Sequence, residues 1–144
     1  MKIVLDTNVL VSGLLGLYSY PARIIDMLTI GRLQCVYDDR IMAEYREMLS
    51  RPKFQSVISG KERQYILDYL AHAGLHVVAE PLGKVISAIP DPDDVIFVEV
   101  AVAGDAEFII TGNVKHFSYV EEQPWGIKIV SPRVCYELIC RRID

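Results

Sequence analysis

The chain has 144 residues, 51% of them hydrophobic and 24% charged, which is one domain's length with enough apolar mass for a packed core. That composition excludes a disordered polypeptide. A formal net charge of -4 argues against wrapping nucleic acid by bulk electrostatics, although a site that gathers carboxylates around a cation looks acidic until the cation is counted.

The chain opens with MKIVLDTNVLVSGLL. Ile3 to Leu5 read as a fully buried strand. Asp6 closes it, and Thr7 and Asn8 follow before a second apolar run, Val9 to Leu15. Lys2 ahead of this stretch has the outline of a signal peptide. Asp6 and Asn8 interrupt it and no small-residue cleavage site follows, so the outline is rejected. Tyr18 to Pro21 is a break, with Ser19 or Tyr20 near a cap and Pro21 in a first turn. Ala22 to Thr29 is a helix closed by Gly31, and Leu33 to Tyr37 a second strand. Asp38 or Asp39 caps the next helix, whose apolar face is Ile41, Tyr45, Met48 and Leu49 and which breaks at Pro52. Ser50 to Phe54 is a basic connection.

Lys61 to Ala73 is a helix with Tyr65, Ile66, Tyr69 and Leu70 as its apolar stripe and Gly74 as its stop. His76 to Ala79 is a candidate third strand, and Pro81 to Pro92 an irregular loop. Asp93 begins a helix to about Ala103; the apolar run it carries, Val95 to Gly104, contains Glu99 and is too short to span a bilayer. Glu107 to Thr111 is a fourth strand, Gly112-Asn113 a turn, Lys115 to Tyr119 a short helix and Lys128 to Val130 the last strand. Ser131-Pro132 starts a terminal helix. Cys35, Cys135 and Cys140 are an odd number without CxxC spacing, so zinc and disulfides are not expected; they read as small buried side chains in a reducing cytoplasm.

Strands that lack period-two alternation and alternate with helices indicate a parallel sheet covered on both faces. With no repeats or linkers, residues 1–144 are expected to form one α/β/α domain, soluble and without a membrane segment.

The chemistry-bearing residues are acidic and stand at element ends or on the helices beside them. Asp6 lies where open α/β sheets place ligands, yet aspartate there also caps helices. Glu44 lies one turn into its helix. Asp93 and Asp94 occupy a first turn, where they also complement the helix dipole. Glu99 is about 140° round that helix from Asp94, in an otherwise apolar run. Singly, each has a structural explanation. Together they suggest an oxygen cage for magnesium or manganese, suited to hydrolysis of a phosphodiester by a metal-activated water.

Three blocks, MKIVLDTNVLVSGLL, IMAEYREMLSRPKF and DPDDVIFVEVAVAGDAEFIITGNVKHF, resemble the PIN-domain family in order and spacing. More closely, the chain resembles the branch that forms the toxins of type II toxin–antitoxin pairs. The resemblance implies a metal-dependent ribonuclease on a parallel sheet of about five strands, with Mg2+ or Mn2+ as cofactor and single-stranded RNA as substrate. It also implies a small antitoxin as partner, a homodimer and a cytoplasmic location. By position, the family's first three carboxylates fall on Asp6, Glu44 and Asp94, with Asp93 the neighbour that can be confused with the third. The family's fourth acidic position is where this sequence departs: Asn113 stands in the turn and His116 in the following His-Phe pair. Both remain able to support a site through a carbonyl or a phosphate contact.

Thr7, Asn8 and Ser12 resemble the family's polar support, and Asn8 can equally form an Asx-type turn. Arg51, Lys53 and Lys115 supply positive charge, and Phe54 an aromatic, for a single strand; a basic loop is also commonly just solvated. Two other readings compete. One is a degenerate PIN domain that binds RNA or protein without cutting, favoured by the missing fourth carboxylate. The other is a phosphatase with Asp6 as nucleophile, disfavoured because Asn8 stands where that chemistry wants a second acid.

Overall fold

The computed structural model describes residues 1–83 and 91–143, so residues 84–90 of the expected Pro81–Pro92 loop lie outside it. The strands are β1 (Lys2–Leu5), β2 (Gln34–Tyr37), β3 (Leu75–His76), β4 (Phe108–Ile110) and β5 (Lys128–Val130). The helices are α1 (Thr7–Leu15), α2 (Tyr20–Thr29), α3 (Asp39–Leu49), α4 (Gly60–Ala73), α5 (Val95–Ala103), α6 (Val114–Phe117) and α7 (Pro132–Ile143). All strand pairs are parallel, in the order β3-β2-β1-β4-β5. Helices flank this sheet in the expected α/β/α arrangement: α5 lies against β1, β2 and β4, while α1, α2 and α7 pack together.

The core follows from the apolar runs. Ile3, Val4, Leu5, Ile109 and Ile110 are wholly buried, so the two central strands carry no polar face. Caps set the helix starts: Ser19 accepts the Ala22 amide at 3.2 Å, and Asp38 accepts that of Ile41 at 2.9 Å. At the end of α2, Gly31 adopts φ +81, where a side chain would be strained, and lets the Arg32 amide turn back to the Met27 carbonyl at 3.0 Å. Cys35 and Cys135 are buried and Cys140 partly so, all unbridged, and burial pushes the first two thiols up to about 12.

Three expectations need correcting. The third strand pairs only over Leu75–His76; as an edge strand it has one neighbour, and its last tie is the Val77 amide on the Tyr37 carbonyl at 2.9 Å. The buried stripe of α4 is Ile66, Leu67 and Leu70, while Tyr65 is 66% exposed and stacks on Tyr69 at the surface. At 100° per residue, Tyr65 and Leu67 flank Ile66 symmetrically, and the core takes the aliphatic one. Asp93 and Asp94 lie in a 3-10 turn, Pro92–Asp94, that precedes α5 rather than in its first α-helical turn. Among the described residues no helix is long and apolar enough to cross a membrane.

Candidate active site

The strand order reverses between β1 and β4, and crevices at such a switch point are where α/β sheets bind ligands. Register decides what meets there. Leu5 pairs with Ile110, so the next residue on each strand, Asp6 and Thr111, end side by side. The Asp6 amide donates to the Ile110 carbonyl at 3.0 Å, and the Thr111 hydroxyl donates to Asp6 Oδ2 at 2.7 Å. Thr111 Oγ1 in turn accepts the Asn113 amide at 3.0 Å. Asp6 is buried and sits at the N-cap position of α1, where its side chain closes no full capping hydrogen bond. Burial pushes its carboxyl up, while Thr111 and the amides of Asn8 and Thr7 pull it back.

Glu44 arrives from α3. That helix is fixed beneath the site by Tyr45, wholly buried, whose hydroxyl donates to the Leu5 carbonyl at the end of β1. The Thr7 hydroxyl donates to Glu44 Oε2, tying α1 to α3 across the site. Glu44 is pushed up by burial foremost, with Thr7 opposing and the charges of Asp6 and Asp93 adding to the rise.

Asp94 completes the set. Its carboxyl is pushed up to about 6, first by burial and then by the charges of Asp6 and Asp91, with His116 opposing. His116 Nδ1 lies 3.9 Å from Asp94 Oδ2. Asp93 is exposed, its amide donating to Asp91 Oδ1 at 2.9 Å. The Asp6 charge thus raises the proton affinity of both Glu44 and Asp94, and Glu44 adds to the rise at Asp94, as like charges near one another do. An all-oxygen, like-charged set fits a hard divalent ion. Among the described residues no three acidic, histidine or cysteine side chains are gathered so that they could hold a metal ion as they stand. Glu44 is instead engaged by Thr7.

The remaining expected residues divide by place. Asn8 and Ser12 are exposed on α1 and line a cavity with Gly112. Asn113, Lys115 and His116 line another, of about 360 Å³. Thr7 is buried and turned to Glu44. Arg51 pairs with Glu47 at 3.2 Å, and Lys53 lies 5.0 Å over the Phe54 ring, both on the exposed connection after α3. Glu99 does not join the carboxylates. It accepts Arg40 Nη1 at 2.8 Å, and Arg40 Nε also binds Asp38 at 2.7 Å, so this acid belongs to a separate buried ion cluster. Thr111 and the Tyr45 hydroxyl were not anticipated. The only sequence signal for Thr111 was a hydroxyl at a strand end before a Gly-Asn turn, and Tyr45 read as apolar face.

Residues 2–115 match the family described as PIN domain. The chain belongs to the PIN-domain family. A crystal structure of VapBC2 from Rickettsia felis, bound to a DNA fragment from their promoter, matches the fold with a TM-score of 0.59. That match covers 90% of this chain and 98% of the other at 18% identity, a likeness of fold. No curated protein matches the chain. The PIN-domain match spans Asp6, Glu44, Asp94, Asn113 and Lys115, so every carboxylate at the switch point lies within it.

Proposed function

We propose that this PIN-domain protein is a divalent-metal-dependent endoribonuclease that cleaves phosphodiester bonds in single-stranded RNA, acting as the toxin of a toxin–antitoxin pair. The observation that supports this reading most is the Asp6 carboxylate at the switch point, whose charge adds to the rise that burial gives the carboxyls of both Glu44 and Asp94. These three would hold Mg2+ or Mn2+, which when bound supplies a water of lowered pKa and neutralises charge developing on the phosphate.

The chain's own residues do the rest. Thr111 orients Asp6, and Thr7 holds Glu44. Lys115 and His116 offer donors to a phosphate beside Asp94. Arg51 and Lys53 extend positive charge for the strand beyond the site. Asn113, in the family's fourth acidic position, contributes a neutral carbonyl, consistent with a single tightly held ion. The toxin role carries with it a cytoplasmic location, a small antitoxin that covers the cleft and a homodimer; the fold neighbour is a VapBC2 structure, which supports looking for such a partner. Residues 1–144 act as one unit in this reading.

A second reading has two observations in its favour: Asn113 and His116 replace the fourth acid, and no group of three side chains that could hold a metal ion stands among the described residues. In that case the domain binds RNA or protein without cutting. Incubation of an unstructured RNA with purified protein in manganese, magnesium or EDTA, beside Asp94→Asn, separates the two. Metal-dependent cutting that falls at least about 100-fold in Asp94→Asn is expected for the nuclease. Absence of cutting by folded, antitoxin-free protein, or equal cutting by the variant, selects the binding module.

A further inference from the structure

The switch-point edge has a second cavity, an open hollow of about 300 Å³ bordered by α1, α2 and the start of α7. Asn8 and Ser12 line it from α1, Tyr20 from α2, Gly112 from the turn after β4, and Ser131 and Arg133 from the start of α7. Two of these residues tie it to the carboxylates. Asn8 follows Asp6 by two positions, and Gly112 lies between Thr111 and Asn113.

Its aromatic wall is fixed and cationic. Tyr20 packs on Tyr136 with ring centroids 6.0 Å apart. The Arg23 guanidinium sits 5.2 Å from the Tyr20 ring and 5.0 Å from that of Tyr136, and Arg133 lies 6.0 Å from Tyr20. Arg133 shares its charge with Glu137 at 3.1 Å, whereas Arg23 makes no ion pair among the described residues. Tyr20 is still 36% exposed, so the packing leaves ring surface open.

We infer that this cavity is a nucleobase subsite, in which one base of a single-stranded RNA stacks on Tyr20 beside the phosphate at Asp6. Its volume is at the lower end of small-ligand pockets and takes one flat group rather than a protein segment. Bases of any sequence stack on aromatic rings, and an arginine beside the ring adds cation–π attraction. Asn8, Ser12 and Ser131 present an amide and hydroxyls to a base edge, and both can donate and accept. Arg23 and Arg133 place positive charge next to an edge that carries three carboxylates and would otherwise repel a polyanion. The subsite rests on the nuclease reading for its phosphate, but its occupant is recognised by binding alone.

The test is fluorescence anisotropy of a labelled mixed-sequence RNA hexamer with the full chain in calcium, its integrity checked on a gel. Tyr20→Ala and the cavity-filling Ser12→Phe are each expected to weaken binding about tenfold, the effect of one lost stacked base. Tyr20→Phe keeps wild-type affinity, and Arg133→Ala flattens the salt dependence by about 0.7 in the logarithmic slope. Thermal melts of Ser12→Phe, altered at an exposed position, show whether the fold is intact. Equal affinity of wild type, Tyr20→Ala and Ser12→Phe overturns the subsite, as does a defect that Tyr20→Phe shares. Cutting with such equal affinities leaves the nuclease reading standing alone. Tyr20-dependent binding without cutting keeps the subsite and removes the nuclease.

Discussion

Asp6 and Thr111 stand 105 positions apart in sequence and one hydrogen bond apart in space, 2.7 Å from hydroxyl to carboxylate. The parallel register of β1 and β4 puts them there, because their predecessors Leu5 and Ile110 are already paired. Thr111 is wholly buried, and its oxygen also accepts the Asn113 amide. Thr111→Val keeps the shape but leaves that amide unpaired and Asp6 short of a donor, a cost of about 1–3 kcal/mol. Its loss also lets the Asp6 carboxyl rise further, since Thr111 is what chiefly opposes burial. Thermal melts should show the destabilisation, and metal titration a loss of roughly 10- to 100-fold in affinity. Thr111→Ser should restore both.

Three raised carboxyls make a prediction about pH. A carboxylate whose folded pKa lies above its unfolded value binds protons more readily when folded, so its protonation favours folding. Asp94, at about 6 against 3.8 unfolded, therefore adds stability as pH falls from about 7 through 6, with the gain complete near 4. Asp6 and Glu44 shift the same way. In EDTA, the melting temperature of wild type relative to Asp94→Asn should rise between pH 7.5 and 5. Asp94→Asn should be the more stable protein at pH 7.5. A difference between the two that does not change with pH would remove the like-charge account of the site.

Much of the fold was legible because the central strands are short, apolar apart from Lys2 and bounded by turn residues. Lys128–Val130 needed nothing beyond local chemistry, and the cap left open between Ser19 and Tyr20 falls on Ser19. What was not legible was orientation. Tyr65 and Leu67 lie at equal angles from Ile66, and sequence spacing does not say which one the sheet covers. Glu99 in an apolar helix signals a buried charge, but nothing local says whether its partner is a metal or Arg40, a residue 59 positions away. The same holds for the site itself. The sequence offers Asp6, Glu44 and Asp94 as candidates by position, whereas Thr111 and the Tyr45 hydroxyl act through register and helix packing, which appear only once the sheet is assembled.

The Arg40 cluster is the brace between α3, which carries Glu44, and α5, which follows Asp94. Its guanidinium binds Asp38 at 2.7 Å and Glu99 at 2.8 Å, two acids that are buried while Arg40 itself is 45% exposed. Arg40→Met strands both charges. A wholly buried pair would lose ~3–5 kcal/mol, and solvent access to Arg40 reduces that to roughly 2 kcal/mol. Adding Glu99→Met should recover part of the loss, because the two changes share one interaction. Denaturant titration of the two single variants and the double gives the coupling directly; strictly additive losses would mean that the ion pair contributes nothing.

The approach of α1 to α2 sets the floor of the Tyr20 cavity, and Gly13 permits it. A Cβ there would lie 2.6 Å from Ile25 Cγ1 and 2.8 Å from the Pro21 carbonyl oxygen. Ile25 can shift, but the Pro21 carbonyl belongs to the first turn of α2 and moves only with the helix. Gly13→Ala gains ~1 kcal/mol of helix propensity and loses ~1–3 kcal/mol to overpacking, so destabilisation wins. A fall in melting temperature of roughly 3–8 °C is expected. Gly112→Ala is the control: nothing lies within 4 Å of its added Cβ, yet the residue edges both cavities at the carboxylates. It should melt as wild type while binding RNA less tightly. An unchanged melt for Gly13→Ala would show that α2 slides freely on α1, and the Tyr20 wall would then be no more fixed than the loop before it.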